Sequence, residues 1–138
     1  MTEYEYPPGV QVIIQHLKTI GFEVRNERPP ESPLPFATVH RVGGGEDEAG
    51  ITDEGRYAIL VFGSSQEEVD TATQKVVRRM KKLAFAGQEK VIIGGKAYFA
   101  DGARKREERP IDNLDNAIPR RFFGTSLMYD VPMRIVAA

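Results

Sequence analysis

Residues 36–63 of the chain read FATVHRVGGGEDEAGITDEGRYAILVFG. Two segments rich in β-branched and aromatic residues, Phe36–Val42 and Arg56–Phe62, flank a glycine-rich, acidic stretch, Gly43–Gly50. Antiparallel neighbours are usually joined by about two to five residues, so about a dozen residues between these segments are more than a turn requires. Long loops of this kind often carry function. The sequence therefore predicts two strands joined by a loop that projects beyond the sheet.

The second segment indicates a central strand. Tyr57, Ile59 and Val61 alternate with Ala58, Leu60 and Phe62, so both faces of the strand carry apolar side chains. A strand that is apolar on both faces is typical of the middle of a sheet.

Two helices are predicted from apolar residues at helical spacing. The first helix follows Pro7-Pro8 and ends at Gly21, with Val10, Ile13, Ile14, Leu17 and Ile20 on one face. The second begins after Ser64 or Ser65 as N-cap and ends by Gly87. Its apolar stripe consists of Val69, Ala72, Thr73, Val76, Met80 and Leu83.

The remaining segments complete an α-β-β-β-α-β-β-β order. They are a short strand at Phe22–Arg25, a hairpin turning at Gly94-Gly95, a polar loop from Asp101 to Pro119, and a closing strand from Arg121 to Val136 in which Pro132 marks an edge or a bulge. We predict an α+β fold, with two helices packed on one face of a mostly antiparallel β-sheet and with long projecting loops. Residues 1–138 form a single domain in this prediction.

Composition limits the function classes. The chain has 138 residues, 41% of them hydrophobic, so it can bury about two thirds of its unfolded surface and form its own core. It has no cysteine, which removes disulfides and thiolate metal sites. No apolar run approaches the roughly 20 residues that cross a bilayer, and the N-terminus is acidic, unlike a secretory signal. We expect synthesis in the cytoplasm and no membrane partner.

The residues that could carry chemistry do not form a catalytic pattern. Gly43–Gly45 is followed by Glu46-Asp47-Glu48, whose charges would repel a phosphate. His16 lies off the apolar stripe of its helix and is predicted to be solvated, while His40 lies in a strand, so the two do not converge. The carboxylates near Gly45 lack the spacing of a calcium-binding loop. We therefore expect no enzyme activity, no cofactor and no metal.

The run Arg104-Lys105-Arg106-Glu107-Glu108-Arg109 is the main charged motif. The net charge of the chain is −1, so attraction to DNA would need a local basic patch. The adjacent glutamates cancel most of the local field at a Debye length of about 8 Å. A solvated or subunit-contacting loop is favoured here, with DNA contact as the minor alternative.

Two motifs resemble one known family. The first is Arg41-Val42-Gly43-Gly44, followed by an acidic gap, Ile51-Thr52-Asp53, a strand and a helix. The second is the basic-aromatic start Arg120-Arg121-Phe122-Phe123 of the closing strand. These features, and the order of elements over nearly the whole chain, resemble the tail terminator (head-tail joining) proteins of long-tailed, non-contractile phages, the siphoviruses. The run Ala103–Arg109 departs from the family pattern.

The resemblance implies a structural virion protein and no catalytic role. Members form a homo-hexameric ring at the head-proximal end of the tail, which caps the tail tube and stops polymerisation of the major tail protein. The opposite surface of the ring meets the head-completion or stopper protein of the connector, and DNA passes through the lumen with weak, non-specific contact. The contacts with a neighbouring subunit or with the tube are then expected at Arg41, Gly43, Gly44, Gly45, Ile51, Thr52 and Asp53. A second contact loop is expected at Arg104, Lys105, Arg106 and Arg109.

Two alternatives remain open at the level of sequence. One is a freestanding α+β binding module of the ferredoxin-like kind, which would recognise a small ligand or nucleic acid through its open sheet face and would need a concave apolar pocket. The other is a different neck protein, such as a head-completion or stopper protein.

Overall fold

The computed structural model describes residues 3–29, 31–83, 90–111 and 123–137. The helices are α1 (Gly9–Leu17), extended by a 3₁₀ turn at Lys18–Ile20, and α2 (Gln66–Leu83). The strands are β1 (Tyr4–Glu5), β2 (Glu23–Arg25), β3 (Phe36–Glu46), β4 (Thr52–Gly63), β5 (Val91–Ile93), β6 (Lys96–Tyr98), β7 (Arg104–Pro110), β8 (Phe123–Arg134) and β9 (Val136–Ala137).

A five-stranded sheet organises the chain in the order β2-β3-β4-β8-β7. In this sheet β2 is parallel to β3, while the pairs β3–β4, β4–β8 and β8–β7 are antiparallel. Two small two-stranded sheets, β1-β9 and β5-β6, accompany it. The predicted α+β class is confirmed, and β4 is central, as its two apolar faces predicted.

Both helices cover the same face of the sheet. On β4, the residues that face the helices are Tyr57, Ile59 and Val61. They are buried together with their cross-strand partners on β8. The second helix contributes the stripe that the sequence predicted: Val69, Ala72, Thr73, Val76, Met80 and Leu83 are all buried. Burying each large apolar side chain contributes about 1.5–3 kcal/mol relative to exposure, so this layer is the main source of stability.

The local signals that end and begin elements are also confirmed. Ser65 caps α2, since its Oγ accepts the Glu68 N–H at 3.1 Å, and the Glu68 carboxylate accepts the Ser64 N–H at 2.8 Å. Gly21 ends the first helical segment with φ of 98°. The predicted end of α2 at Gly87 lies outside the described residues.

Both predicted projecting loops are corrected by the structure. Strand β3 continues through the three glycines to Glu46, and β4 begins at Thr52, so only residues 47–51 form the turn. Much of the predicted second loop is also a strand: β7, Arg104–Pro110, pairs with β8 along the edge of the sheet. The prediction was wrong in both places because glycines and charged residues are typical of loops. Both segments are strands because their backbones form hydrogen bonds with one neighbouring strand.

Two further positions differ from prediction. His16 is buried, with 2% exposure, because it faces α2 and its Nε2 lies 2.7 Å from the carbonyl oxygen of Arg79. Pro132 lies in β8, which is an inner strand. Pairing with β7 begins only at Asp130, so Pro132 lies past the end of that ladder, and its carbonyl accepts the Asp101 N–H at 2.8 Å.

Candidate assembly surfaces

The first set of predicted contact residues lies on the β3–β4 hairpin. Gly43 pairs with Arg56, Gly44 with Gly55, Gly45 with Glu54 and Glu46 with Asp53, and a bulge at Val42 shifts the register. Gly44 has φ of 84°, and a Cβ at this position would overlap the carbonyl oxygen of Glu54. A side chain is therefore excluded at Gly44, whereas a Cβ at Gly45 would meet no atom within 4 Å.

The tip of this hairpin is held in place from both sides. The Asp47 carboxylate accepts the N–H groups of Ile51 and Thr52 at 3.0 and 3.2 Å. The carbonyl of Ile51 accepts the Ile135 N–H at 2.9 Å, and the Tyr6 hydroxyl donates to Gly50 O at 2.9 Å. The hairpin is therefore an integral part of the fold up to its tip.

Arg41 and Asp53 form the best-ordered polar contact of the hairpin. The Arg41 guanidinium donates to both carboxylate oxygens at 2.6 and 2.7 Å, the bidentate geometry that arginine favours. The Asp53 side chain is 10% exposed and that of Arg41 37%. The hydrogen bond that Arg41 donates to Asp53 raises the pKa of Arg41, which therefore stays charged.

Tyr57 lies beneath this pair. Its ring centroid is 5.7 Å from the Arg41 guanidinium carbon, within cation–π range, and its hydroxyl is 3.4 Å from Arg41 Nη1. Burial raises the pKa of Tyr57, although Arg41 opposes that shift. A Cβ at Gly9, the first residue of α1, would overlap the Tyr57 hydroxyl. Tyr57 thus lies between the ion pair and the start of the first helix.

The predicted residues of the hairpin consequently divide into three groups. Thr52 is half-buried and donates its backbone N–H to Asp47 within the turn. Asp53 and the head group of Arg41 bind each other within the chain. Gly43–Gly45 and Ile51 lie at the periphery, and Ile51 and the bulge residue Val42 are 49% and 50% exposed. The peripheral group is therefore the part available to a partner.

The second set of predicted residues lies on β7. All seven residues of this strand, Arg104 to Pro110, are exposed. Lys105 Nζ lies 3.0 Å from the Glu108 carboxylate, and Arg109 lies 3.7 Å from that of Glu107. Exposed pairs of this kind contribute about 0–1 kcal/mol each, so they leave the strand's charges available to a partner.

Asp130 on β8 joins β7 to the centre of the sheet. Arg56 of β4 donates to one of its carboxylate oxygens at 3.0 Å and Arg106 of β7 to the other at 2.9 Å. Partial burial would raise the pKa of Asp130, but the hydrogen bonds from the two arginines outweigh it and lower the pKa below its ordinary value. Sequence reasoning missed this cluster. The signal in the sequence was that Arg56 and Asp130 alternate with the apolar residues of their two strands, and so lie on the sheet face away from the helices.

Arg41 and Gly43–Gly45 of the first predicted set lie on β3, and the second predicted set lies on β7, with β4 and β8 between them. Strand β2 pairs only with Phe36–Thr38 of β3, so in the described part of the chain no strand lies against the outer edge of β3 from Val39 to Glu46. Likewise, no described strand lies against the outer edge of β7. We name these two stretches the β3 edge (Val39–Glu46) and the β7 edge (Arg104–Pro110).

Neither histidine occupies a site of convergent chemistry. His16 bridges the helices, since Arg79 Nε also donates to the carbonyl of His16 at 2.8 Å. His40 Nε2 lies 3.0 Å from the Thr38 hydroxyl. Among the described residues no three His, Cys, Asp or Glu side chains are grouped so that they could hold a metal ion, and no described helix is long and apolar enough to cross a membrane.

An open concavity of about 530 Å³ lies on the sheet face away from the helices, between the hairpin and the start of β7. Glycines and charged side chains, among them Glu54, Arg56, Arg104 and Asp130, form much of its lining. Small-ligand sites are mostly apolar with a few polar groups, so this concavity does not match the pocket that a ligand-binding module needs.

With this geometry established, the chain can be compared with known proteins. A chain of the solved structure "Virion of native gene transfer agent (GTA) particle" superimposes on it with a TM-score of 0.58. The two chains share a fold. The match covers 90% of this chain and 92% of that chain at 13% sequence identity. No model of a protein family matches the sequence, and no curated protein matches it.

Proposed function

We propose that this chain is a structural virion protein, the tail terminator of a long-tailed, non-contractile phage or a related particle. In this role it forms a homo-hexameric ring that caps the tail tube, stops polymerisation of the major tail protein and joins the tail to the head connector. The observation that carries the proposal is the fold shared with a chain of a virion particle, which extends over nine-tenths of both chains.

The motifs give the proposal its finer detail. The Arg41–Gly44 and Ile51–Asp53 segments resemble the terminator family, and the structure brings them together as the two sides of one hairpin. Arg41 and Asp53 fix the hairpin from within, and the exposed residues Gly44, Gly45 and Ile51 remain for contact. A rigid hairpin is a better assembly element than a free loop, because less entropy is lost when a partner binds.

The mechanism we propose is geometric. A subunit with two different complementary surfaces associates head to tail, and a rotation of one sixth of a turn closes such a contact into a ring of six. One annular surface then covers the last ring of the tube, and the other receives the head-completion or stopper protein. DNA passes through the lumen, and the net charge of −1 gives the chain no overall attraction to it.

We propose no catalytic role. The support is that the two histidines make structural contacts within the described residues, and that the buried Asp53 is neutralised by Arg41. A general acid or base needs a proton-transfer group that faces a substrate, and neither histidine has that placement.

Deletion of the gene in the particle that encodes the chain tests the function. Loss of a terminator leaves the tube uncapped, so we expect abnormally long tails and heads without tails, with both defects corrected by the intact gene. Variation of tail length is the decisive readout.

A different neck protein would give a different result. Loss of a head-completion or stopper protein leaves tail length normal while heads fail to retain DNA. Tails of normal length in the deletion strain would contradict the terminator proposal and favour that alternative.

A further inference from the structure

The two sheet edges that no described strand covers run in opposite directions. Strand β3 is antiparallel to β4, β4 to β8 and β8 to β7, so β3 and β7 are themselves antiparallel. Copies related by a rotation axis lie side by side in the same orientation. The β7 edge of one copy therefore meets the β3 edge of the next copy in antiparallel sense, as continuation of the sheet requires.

At one end of the two edges the charges are complementary in this direction. The β7 edge begins with Arg104-Lys105-Arg106 and continues with Glu107-Glu108, while the β3 edge ends at Glu46, beside Asp47 and Glu48 of the turn. Antiparallel pairing places the basic end of β7 beside this acidic end. Arg109, at the other end of β7, then lies opposite Arg41, whose charge is already paired with Asp53 within its own chain. Opposite charges across a strand pair are stabilising, so the contact of the basic end of β7 with Glu46 favours the antiparallel sense.

The shapes of the edges also fit. The β3 edge has eight residues and β7 has seven, so the two are similar in length, and Pro110, which has no N–H to donate, lies at the end of β7. Gly43 and Gly45 have no side chains, which leaves space for the long side chains of a neighbouring β7. Each edge carries a bulge, at Val42 and at Arg106, and β7 is highly charged. Bulges and charges are the devices by which sheet edges avoid indiscriminate pairing, so only a complementary strand is accepted.

We propose that the β7 edge of one copy pairs antiparallel with the β3 edge of the next copy, so that the ring is closed by a sheet continuous across subunits. This inference rests on the proposed function for the number of copies, but not for the pairing itself. It places Arg41 and Gly43–Gly45 of the first predicted set on one half of the interface and the second set on the other half.

Disulfide trapping tests the pairing, because the chain has no cysteine of its own. The matched variants are Gly45→Cys with Lys105→Cys, and Glu46→Cys with Arg104→Cys. The control is Gly45→Cys with Arg109→Cys, which uses the opposite end of the same exposed strand. Within one chain, β4 and β8 lie between residue 45 and residue 105, so the two are separated by three strand spacings, roughly 14 Å along the sheet, and by an offset of three residues along β8. Cysteines more than about 7 Å apart cannot be bridged, so a disulfide must join two copies.

Particles assembled with these variants are oxidised and run on a non-reducing gel. We expect the matched pairs to give a ladder of linked chains that ends at six, while the control stays monomeric. Monomers from both matched pairs in particles that contain the protein, or equal linkage in the control, would overturn the edge pairing. A ladder that continues past six would support the edge pairing and contradict the hexameric ring, so the two proposals can fail separately.

Discussion

Arg41→Ala and Asp53→Ala should destabilise the chain by unequal amounts. Arg41→Ala leaves a carboxylate that is 10% exposed without its bidentate partner and also removes the contact with Tyr57. Asp53→Ala leaves an arginine whose side chain is 37% exposed and can turn toward water. The cost of removing one partner therefore depends on which charge remains.

The magnitudes follow from burial. Breaking a fully buried pair costs about 3–5 kcal/mol, and an exposed pair contributes about 0–1 kcal/mol. This pair lies between those limits, so we expect about 2.5 kcal/mol for Arg41→Ala and about 1 kcal/mol for Asp53→Ala. For a chain of this length the larger value corresponds to a fall in Tm of about 8 °C.

Urea unfolding followed by circular dichroism measures both variants, with Arg25→Ala as the control. Arg25 pairs with Glu23 at 3.1 Å, but both side chains are more than half exposed. The control should therefore change the free energy of unfolding by less than about 0.5 kcal/mol. An Arg41→Ala variant as stable as the control, or less affected than Asp53→Ala, would refute the reasoning.

Three further variants test the core, the hairpin and the Asp130 cluster. Val76→Asp buries an unpaired charge beneath the sheet, and a thermal melt should show no folded state; a Tm within a degree of the parent would contradict the packing of α2. Gly44→Ala forces a Cβ against a carbonyl oxygen at positive φ and should lower the free energy of unfolding in urea by about 1–3 kcal/mol. A Cβ at Gly45 meets no atom within 4 Å, so Gly45→Ala should lower it by less than about 1 kcal/mol. Equal losses would contradict the backbone geometry. The pKa of Asp130 is lowered in the folded state from 3.8, so its contribution is present at neutral pH and is lost as the pH falls below about 4. Asp130→Asn should therefore flatten the acid side of the stability profile by less than about 1 kcal/mol, and an unchanged profile would count against this role.

The periodic parts of the chain were predictable from sequence. Val69, Val76 and Met80 repeat at helical spacing, and burial of one stripe follows directly from that period. The positive φ values of Gly94 and Gly95 follow in the same way, because a two-residue hairpin turn requires them. In each case the local signal and the tertiary environment favour the same structure.

The two sheet edges were not predictable, because their residues suit other structures better. Three consecutive glycines have low β propensity, yet Gly44 is required where the backbone approaches Glu54 closely. Strand β7 has no alternation because both of its faces are exposed, so hydrophobic periodicity gives no signal there. Residues Gly43–Glu46 and strand β7 are defined by hydrogen bonds to one neighbouring strand each. The sequence pattern does not show which strand will be the neighbour.

Because Gly43–Glu46 is part of a strand, deletion of the segment from Gly43 to Gly50 should affect folding as well as assembly. A free loop from Gly43 to Gly50 could be replaced by a short turn without cost, since it would bury little apolar surface. The hairpin in fact pairs with β8 through β4 and is bonded to Tyr6 and Ile135. Substitutions on its outer edge, such as those of the disulfide test, therefore separate assembly from folding better than a deletion does.

A reconstruction of the particle that encodes this chain tests the central claim most directly. The terminator proposal predicts one ring of six copies at the head-proximal end of the tail, between the last ring of the tube and the connector. The chain at any other position in the particle, or in any other copy number at that position, would contradict it.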